Sequence, residues 1–182
     1  MAAESRATDD IKAVFSLVNH DGEQVTERSF RGRYLLVFFG FSHCRVVCPR
    51  NLGRISVVLG QLGAGADLIQ PLYITVDPAR DTSGVLKVFL RASYPRFIGL
   101  TGTPEEIEAV KQSFRVFAQR KEDPRDPDGY SVPHSAITYL MSPGGLYLDH
   151  FTDGVDETQI LVRLRALVSK SGAADSAAFR LP

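Results

Sequence analysis

Two thiols stand four residues apart in the stretch VFFGFSHCRVVCPRNL, at Cys44 and Cys48, and the 182-residue chain has no other cysteine. At that spacing they can grip a metal, trade electrons as a dithiol, or fill space. Cys44 falls just past the apolar run RYLLVFFGF, and Cys48 directly precedes Pro49. A proline there suits the first turn of a helix, where its missing N–H costs nothing. If that turn is wound, the two Cβ atoms lie ~5–6 Å apart on one face. Both sulfurs then reach one ion at the ~2.3 Å of zinc–thiolate bonds. The helix N-terminus adds about half a positive charge, which favours thiolate over thiol. A disulfide brings the Cβ atoms to ~3.5–4.5 Å and asks that turn to unwind. Metal binding and reversible oxidation are both open, and two cysteines are too few for a disulfide scaffold.

Two thiolates rarely complete a metal site, and four histidines are candidates for the third donor. His20 is accounted for as a turn residue in Asn-His-Asp-Gly. His43 adjoins Cys44 but projects in another direction. His150 ends a strand near the surface. His134 follows Pro133 at the start of the penultimate strand, and it overhangs the thiols if that strand neighbours the one leading into Cys44. By composition alone a lone histidine is more often structural. A Cys₂His set suits copper, with zinc as competitor. Structural zinc calls for a closed shell of four ligands.

The elements that must position these groups follow from the apolar periodicity. AVFSLVNHDGEQVT reads as a hairpin turning at Asp21-Gly22. RYLLVFFGF, apolar on both faces, is a buried central strand. Leu52, Ile55, Leu59 and Leu62 recur at helical spacing after the thiols, and Gly60, Gly63 and Gly65 end that helix. DLIQPLYITVD is a strand. RDTSGVLKVFLRAS is a helix with Asp81 or Thr82 as N-cap and Val85, Leu86 and Phe89 facing inward. RFIGLTG is a strand. TPEEIEAVKQSFRVFA is a helix with Thr103 as N-cap, Pro104 at its first position and Glu106 completing a capping box. QRKEDPRDPDGYSVP is a charged loop that we expect to carry His134 over the thiols. SAITYLMSPGGLYLDHF is a second hairpin, and DETQILVRLRALVSK the final helix. Strands alternating with helices predict an α/β arrangement with a mixed sheet. We expect residues 11–170 to form the domain, between flexible segments 1–10 and 171–182.

The 44% apolar content supports one packed domain, and zero net charge gives no field that recruits nucleic acid. No window approaches the ~20 apolar residues of a membrane span, and the start lacks the core of a signal peptide. Either the protein is cytosolic or the sequence is a soluble piece of a longer precursor. From Arg28 to Ala66 there are six arginines and no acid. These form either a solvated face or a positive surround that lowers thiol pKa values.

The segments LLVFFGFSHCRVVCP, LYITVDPARDT, FIGLTGTPEEIEAV and HSAITYLMSPGGLYLDHF, in that order over roughly residues 11–168, resemble the Sco/SenC family of copper proteins that assist assembly of cytochrome c oxidase. The resemblance implies a thioredoxin-like fold: a mixed central sheet, an N-terminal β-hairpin and flanking helices. It implies Cys44, Cys48 and His134 as copper ligands, with Asp77 of the VDP turn close by. It also implies an N-terminal membrane anchor, absent from this sequence, on the periplasmic or mitochondrial intermembrane-space side. Truncation is the expected reason for that absence. The sequence departs from the family where Arg45 and Val46 replace a proline and an acid, and where Pro133 replaces an acid before the histidine. Less negative charge beside the metal disfavours Cu(II) more than Cu(I).

Two functions compete. The first is a copper-binding assembly factor that hands its metal to the copper-bearing subunit of cytochrome c oxidase or to another copper chaperone. The second is a thiol–disulfide oxidoreductase, with Cys44 and Cys48 as its redox dithiol, which reduces the copper-ligand cysteines of a partner and is regenerated by a thioredoxin-like reductant. Cys-x-x-x-Cys departs from the usual Cys-x-x-Cys of such enzymes. A thiol peroxidase lacks support in any activated-cysteine motif here.

Overall fold

The structure, a computed structural model, describes the backbone of residues 11–178 and the side chains of residues 11–169. The expected flexible segment 1–10 lies outside the described residues, as do residues 179–182 of the expected C-terminal tail. A hairpin of β1 (Ser16–Asn19) and β2 (Gln24–Thr26) opens the domain. It turns through Gly22 at φ 88°, a conformation that suits a residue without Cβ. Then come β3 (Tyr34–Gly40), α1 (Val47–Gln61), β4 (Ile69–Thr75), α2 (Ser83–Arg91), β5 (Ile98–Thr101) and α3 (Pro104–Ser113). A two-stranded ribbon, β6 (Lys121–Glu122) with β7 (Tyr130–Ser131), precedes β8 (Ile137–Met141), β9 (Tyr147–Thr152) and α4 (Glu157–Ala178).

The seven-stranded sheet runs β2-β1-β5-β4-β3-β8-β9. β3, β4 and β5 are parallel, and the hairpins at either side are antiparallel. This is the mixed α/β sheet that the sequence pattern predicts. β3 sits between β4 and β8, so its apolar run is covered on both faces. Leu35, Val37 and Phe39 join a core with Ile107, Val110 and Phe114 at α3. Leu36 and Phe38 join a second core, with Leu52, Ile55 and Leu59 of α1 and with Ile160 and Leu164 of α4.

Of the two cap candidates, Thr82 caps α2, its hydroxyl accepting from the Val85 amide. One local expectation is corrected. Val85 is partly exposed, and Leu86 and Leu90 are the buried anchors of that helix. With Thr82 as the cap, the Asp81 carboxylate is left for another task.

Candidate functional site

The loop between β3 and α1 carries Cys44 and delivers Cys48 into the first turn of α1. Helix α1 has no side-chain cap at its N-terminus. The Cys44 sulfur supplies the missing acceptor, receiving the Cys48 backbone N–H at 3.4 Å. The Cys44 thiol is pushed down to about 5, first by a hydrogen bond from the Cys48 side chain and then by the backbone N–H groups of residues 46 to 48, against the cost of burial. Cys48 is pushed strongly up, by keeping the proton in that hydrogen bond and by burial, with the Phe41 backbone and the nearby Tyr73 hydroxyl opposing the rise. Cys48 is fully buried and Cys44 half-buried; neither is in a disulfide.

Cys44 is therefore a thiolate at neutral pH. We expect its ultraviolet thiolate absorbance to titrate with a midpoint near about 5 and alkylation to stay rapid well below neutrality. A midpoint in the usual thiol range would contradict this. A depressed acid stabilises the fold fully above its unfolded pKa, so this contribution is lost as pH falls through about 5.

His134 arrives as expected, on the chain leading into β8, which pairs antiparallel with β3. An isolated bridge to Ala118 holds its backbone. Its Nδ1 lies 2.9 Å from the Val132 carbonyl oxygen, which makes Nδ1 the protonated nitrogen and leaves the Nε2 lone pair free. The ring is set edge-on against Phe41 and Phe38, with centroids 5.7 and 6.4 Å away. Its Nε2 stands 3.9 Å from Cys48 Sγ. Two donors at ~2.3 and ~2.0 Å from a shared ion, spread at a trigonal angle, stand about 3.7 Å apart. Cys48 is the middle member, bonded to Cys44 on one side and facing His134 on the other. Among the described residues no three His, Cys, Asp or Glu side chains are already gathered around one metal position. Two soft sulfurs and an imidazole nitrogen are a donor set that fits copper.

The other histidines are engaged elsewhere. His20 Nδ1 accepts the Gly99 N–H at 3.0 Å. His43 contacts Ser42 and faces Asp128 at 3.6 Å. His150 pairs with the Tyr147 hydroxyl at 2.6 Å.

Asp77 is buried, but its oxygens are taken by Arg80 Nε at 2.5 Å and the Tyr130 hydroxyl at 3.2 Å. Arg80 also reaches Asp126 at 3.1 Å and lies 3.9 Å from the Tyr130 ring centroid. This cluster ties the β6–β7 ribbon, and hence the chain leading to His134, to the turn after β4. The loop expected to carry His134 is therefore anchored at several points. The acid that holds the cysteine loop is Asp81, wholly inaccessible to solvent. It accepts the Ser42 amide at 3.0 Å, the Ser42 hydroxyl at 2.5 Å and the Thr75 hydroxyl at 2.7 Å. Burial pushes Asp81 above the ordinary carboxylate range, and these hydrogen bonds oppose the rise. Its position directly before a capping threonine is the one signal in the sequence that could have marked it.

The arginine-rich segment does not encircle the thiols. Arg33 bonds Gln70, Arg50 pairs with Asp153, and Arg54 binds the Asp153 and Val155 carbonyls. Arg45 is the member that reaches the site, lining a cleft of about 460 Å³ with Phe41, His43, Cys44, Asp123 and Asp126. Between the thiols Val46 is 64% exposed. Cys44 opens onto this cleft; Cys48 lies behind it.

The model of the family described as SCO1/SenC matches residues 3–169. The zebrafish (Danio rerio) protein SCO2 homolog, mitochondrial, is 39% identical over 154 residues, 83% of this chain and 54% of the relative. The chain spans about half the length of the curated relatives it matches. Among solved structures, Arabidopsis thaliana ScoI with copper bound is 32% identical with a TM-score of 0.81, over 88% of this chain and 99% of that one. BsSco, described as carrying a disulfide switch and as a member of the Sco family of cytochrome c oxidase assembly proteins, is 25% identical with a TM-score of 0.67, over 88% and 95%.

Proposed function

The chain belongs to the SCO1/SenC family and has its thioredoxin-like fold, and from that premise we propose that it is a copper-binding assembly factor. It takes one copper on Cys44, Cys48 and His134 and passes it by ligand exchange to the copper-bearing subunit of cytochrome c oxidase or to another copper chaperone. The observation that carries this reading is the 3.9 Å approach of His134 Nε2 to Cys48 Sγ, with Nδ1 committed to the Val132 carbonyl. The solved copper-bound relative and the oxidase-assembly description of BsSco support it. Asp77 serves indirectly, through the cluster that holds the histidine-bearing chain. The periplasmic or intermembrane-space side of a membrane is the proposed place of action, supported by the mitochondrial relatives. Among the described residues no helix is long and apolar enough to cross a membrane.

The favoured cargo is Cu(I), with Cu(II) held more weakly. Arg45, Val46 and Pro133 bring no carboxylate to the donor set, and two sulfurs suit the softer ion. Titration of the reduced protein with each oxidation state tests this. One tightly bound Cu(I) per chain and weak Cu(II) uptake are expected; Cu(II) bound as tightly as Cu(I) would refute the preference.

A second reading rests on the Cys44 thiolate. It attacks a partner's disulfide, Cys48 then displaces the partner, and the partner leaves with two thiols while Cys44–Cys48 becomes the disulfide. A thioredoxin-like dithiol reductant must restore it. His134 has no part in that cycle, so the His134 variant separates the two readings.

A further inference from the structure

Tyr73 lies in β4 on the face that packs against α1, and it is wholly inaccessible to solvent. Its ring is held by Phe38 and Phe89, with centroids 6.1 and 5.6 Å away. Its hydroxyl completes no hydrogen bond to any described residue. A tyrosine buried this way normally finds a partner, because a stranded hydroxyl costs free energy. The hydroxyl is aimed at the site. A Cβ placed on Gly40 would lie 2.7 Å from the Tyr73 oxygen and 2.8 Å from Cys48 Sγ. The missing side chain at Gly40 is what lets those two atoms approach each other.

We infer that the Tyr73 hydroxyl is a hydrogen-bond donor reserved for the Cys48 sulfur in its copper-bearing form, which makes Tyr73 a positioning residue for the cargo. This rests on the copper reading above. A protonated Cys48 sulfur is a weak acceptor. When Cu(I) replaces that proton, the proton leaves to solvent and no electron moves. The sulfur then carries anionic charge and accepts a charge-assisted bond, the stronger kind. The hydroxyl has no well-formed partner in the empty state and gains a strong one in the loaded state, so it favours loading and slows release.

Tyr73→Phe keeps the ring and removes the donor. Competition against a colorimetric Cu(I) chelator, with the full chain, should show affinity about tenfold weaker than the parent. The melting temperature of the empty variant should equal or exceed the parent's, since an unpartnered buried hydroxyl has been removed. Affinity unchanged in the variant would overturn the inference and leave the copper reading standing. A clear fall in the empty variant's melting temperature, or failure to fold, would also overturn it, because the hydroxyl would then already be in use without copper. Failure of the parent itself to bind Cu(I) would sink both.

Discussion

His134→Ala lowers Cu(I) affinity by more than about a hundredfold, beyond the 10–100-fold that follows loss of a group merely supporting a ligand. The ring brings the one nitrogen donor to the thiols, and its free Nε2 is already at ligand separation from Cys48 Sγ. The variant's dithiol should still oxidise, because the Cys44–Cys48 contact does not involve the imidazole. Its reduction potential is expected within about 30 mV of the parent, a tenfold change in equilibrium for a two-electron couple. Chelator competition and a redox titration on the same preparation check both numbers. Unchanged copper affinity would mean the sulfurs alone hold the metal, and the three-donor reading would fail. Copper affinity and potential both unchanged would favour the oxidoreductase reading, in which His134 has no part, and a potential shifted far beyond that range would show that the imidazole does act on the dithiol.

Asp81→Ala is the second large effect, and it falls on stability as well as on the site. The change strands the part-buried Ser42 amide and hydroxyl and the wholly buried Thr75 hydroxyl. Each abandoned donor costs roughly 1–3 kcal/mol, so about 3 kcal/mol or more is expected. For a domain of this size that is roughly a 10 °C fall in melting temperature. Asp81→Asn keeps one acceptor oxygen and should lose less. Ser42 lies two residues before Cys44, so the loop that seats the thiolate loosens too, and Cys44 alkylation at low pH should slow. A melt and an alkylation profile both unchanged would show that the carboxylate does not hold this loop.

Local chemistry was legible where a residue's role depends on its neighbours in sequence. Thr103, Pro104 and Glu106 form the capping box that the sequence predicts. The hairpin turns and the buried β3 follow from Asp21-Gly22, Gly144-Gly145 and an unbroken apolar run. His134 was one candidate of four by its place before a strand, and it was the family resemblance that singled it out. What escaped were roles fixed by contacts across the fold. Asp81 and Asp77 are equally plausible turn acids in VDPARDT. Only the packed structure sends one to the cysteine loop and the other to Arg80. Val85 fits an apolar stripe by spacing, yet it lies at the rim of α2 and Leu90 takes the inner position. Tyr73 reads as one more aromatic in a strand; its hydroxyl acquires meaning only beside Gly40 and Cys48. The arginine run is the converse case: conspicuous in sequence, yet Arg33 turns to Gln70, and Arg50 and Arg54 to the segment at Asp153, leaving Arg45 as the member that lines the cleft.

On the proposed copper reading, the unequal depth of the two sulfurs would give the metal's traffic a direction. A docking protein's thiol entering the cleft would meet Cys44 first, while Cys48 is buried behind it. Detachment would then proceed from the outer sulfur inward, and capture would run the same sequence backwards. Small chelators and partner thiols would share a single doorway, so a bulky adduct on residue 44 should block arrival and departure alike.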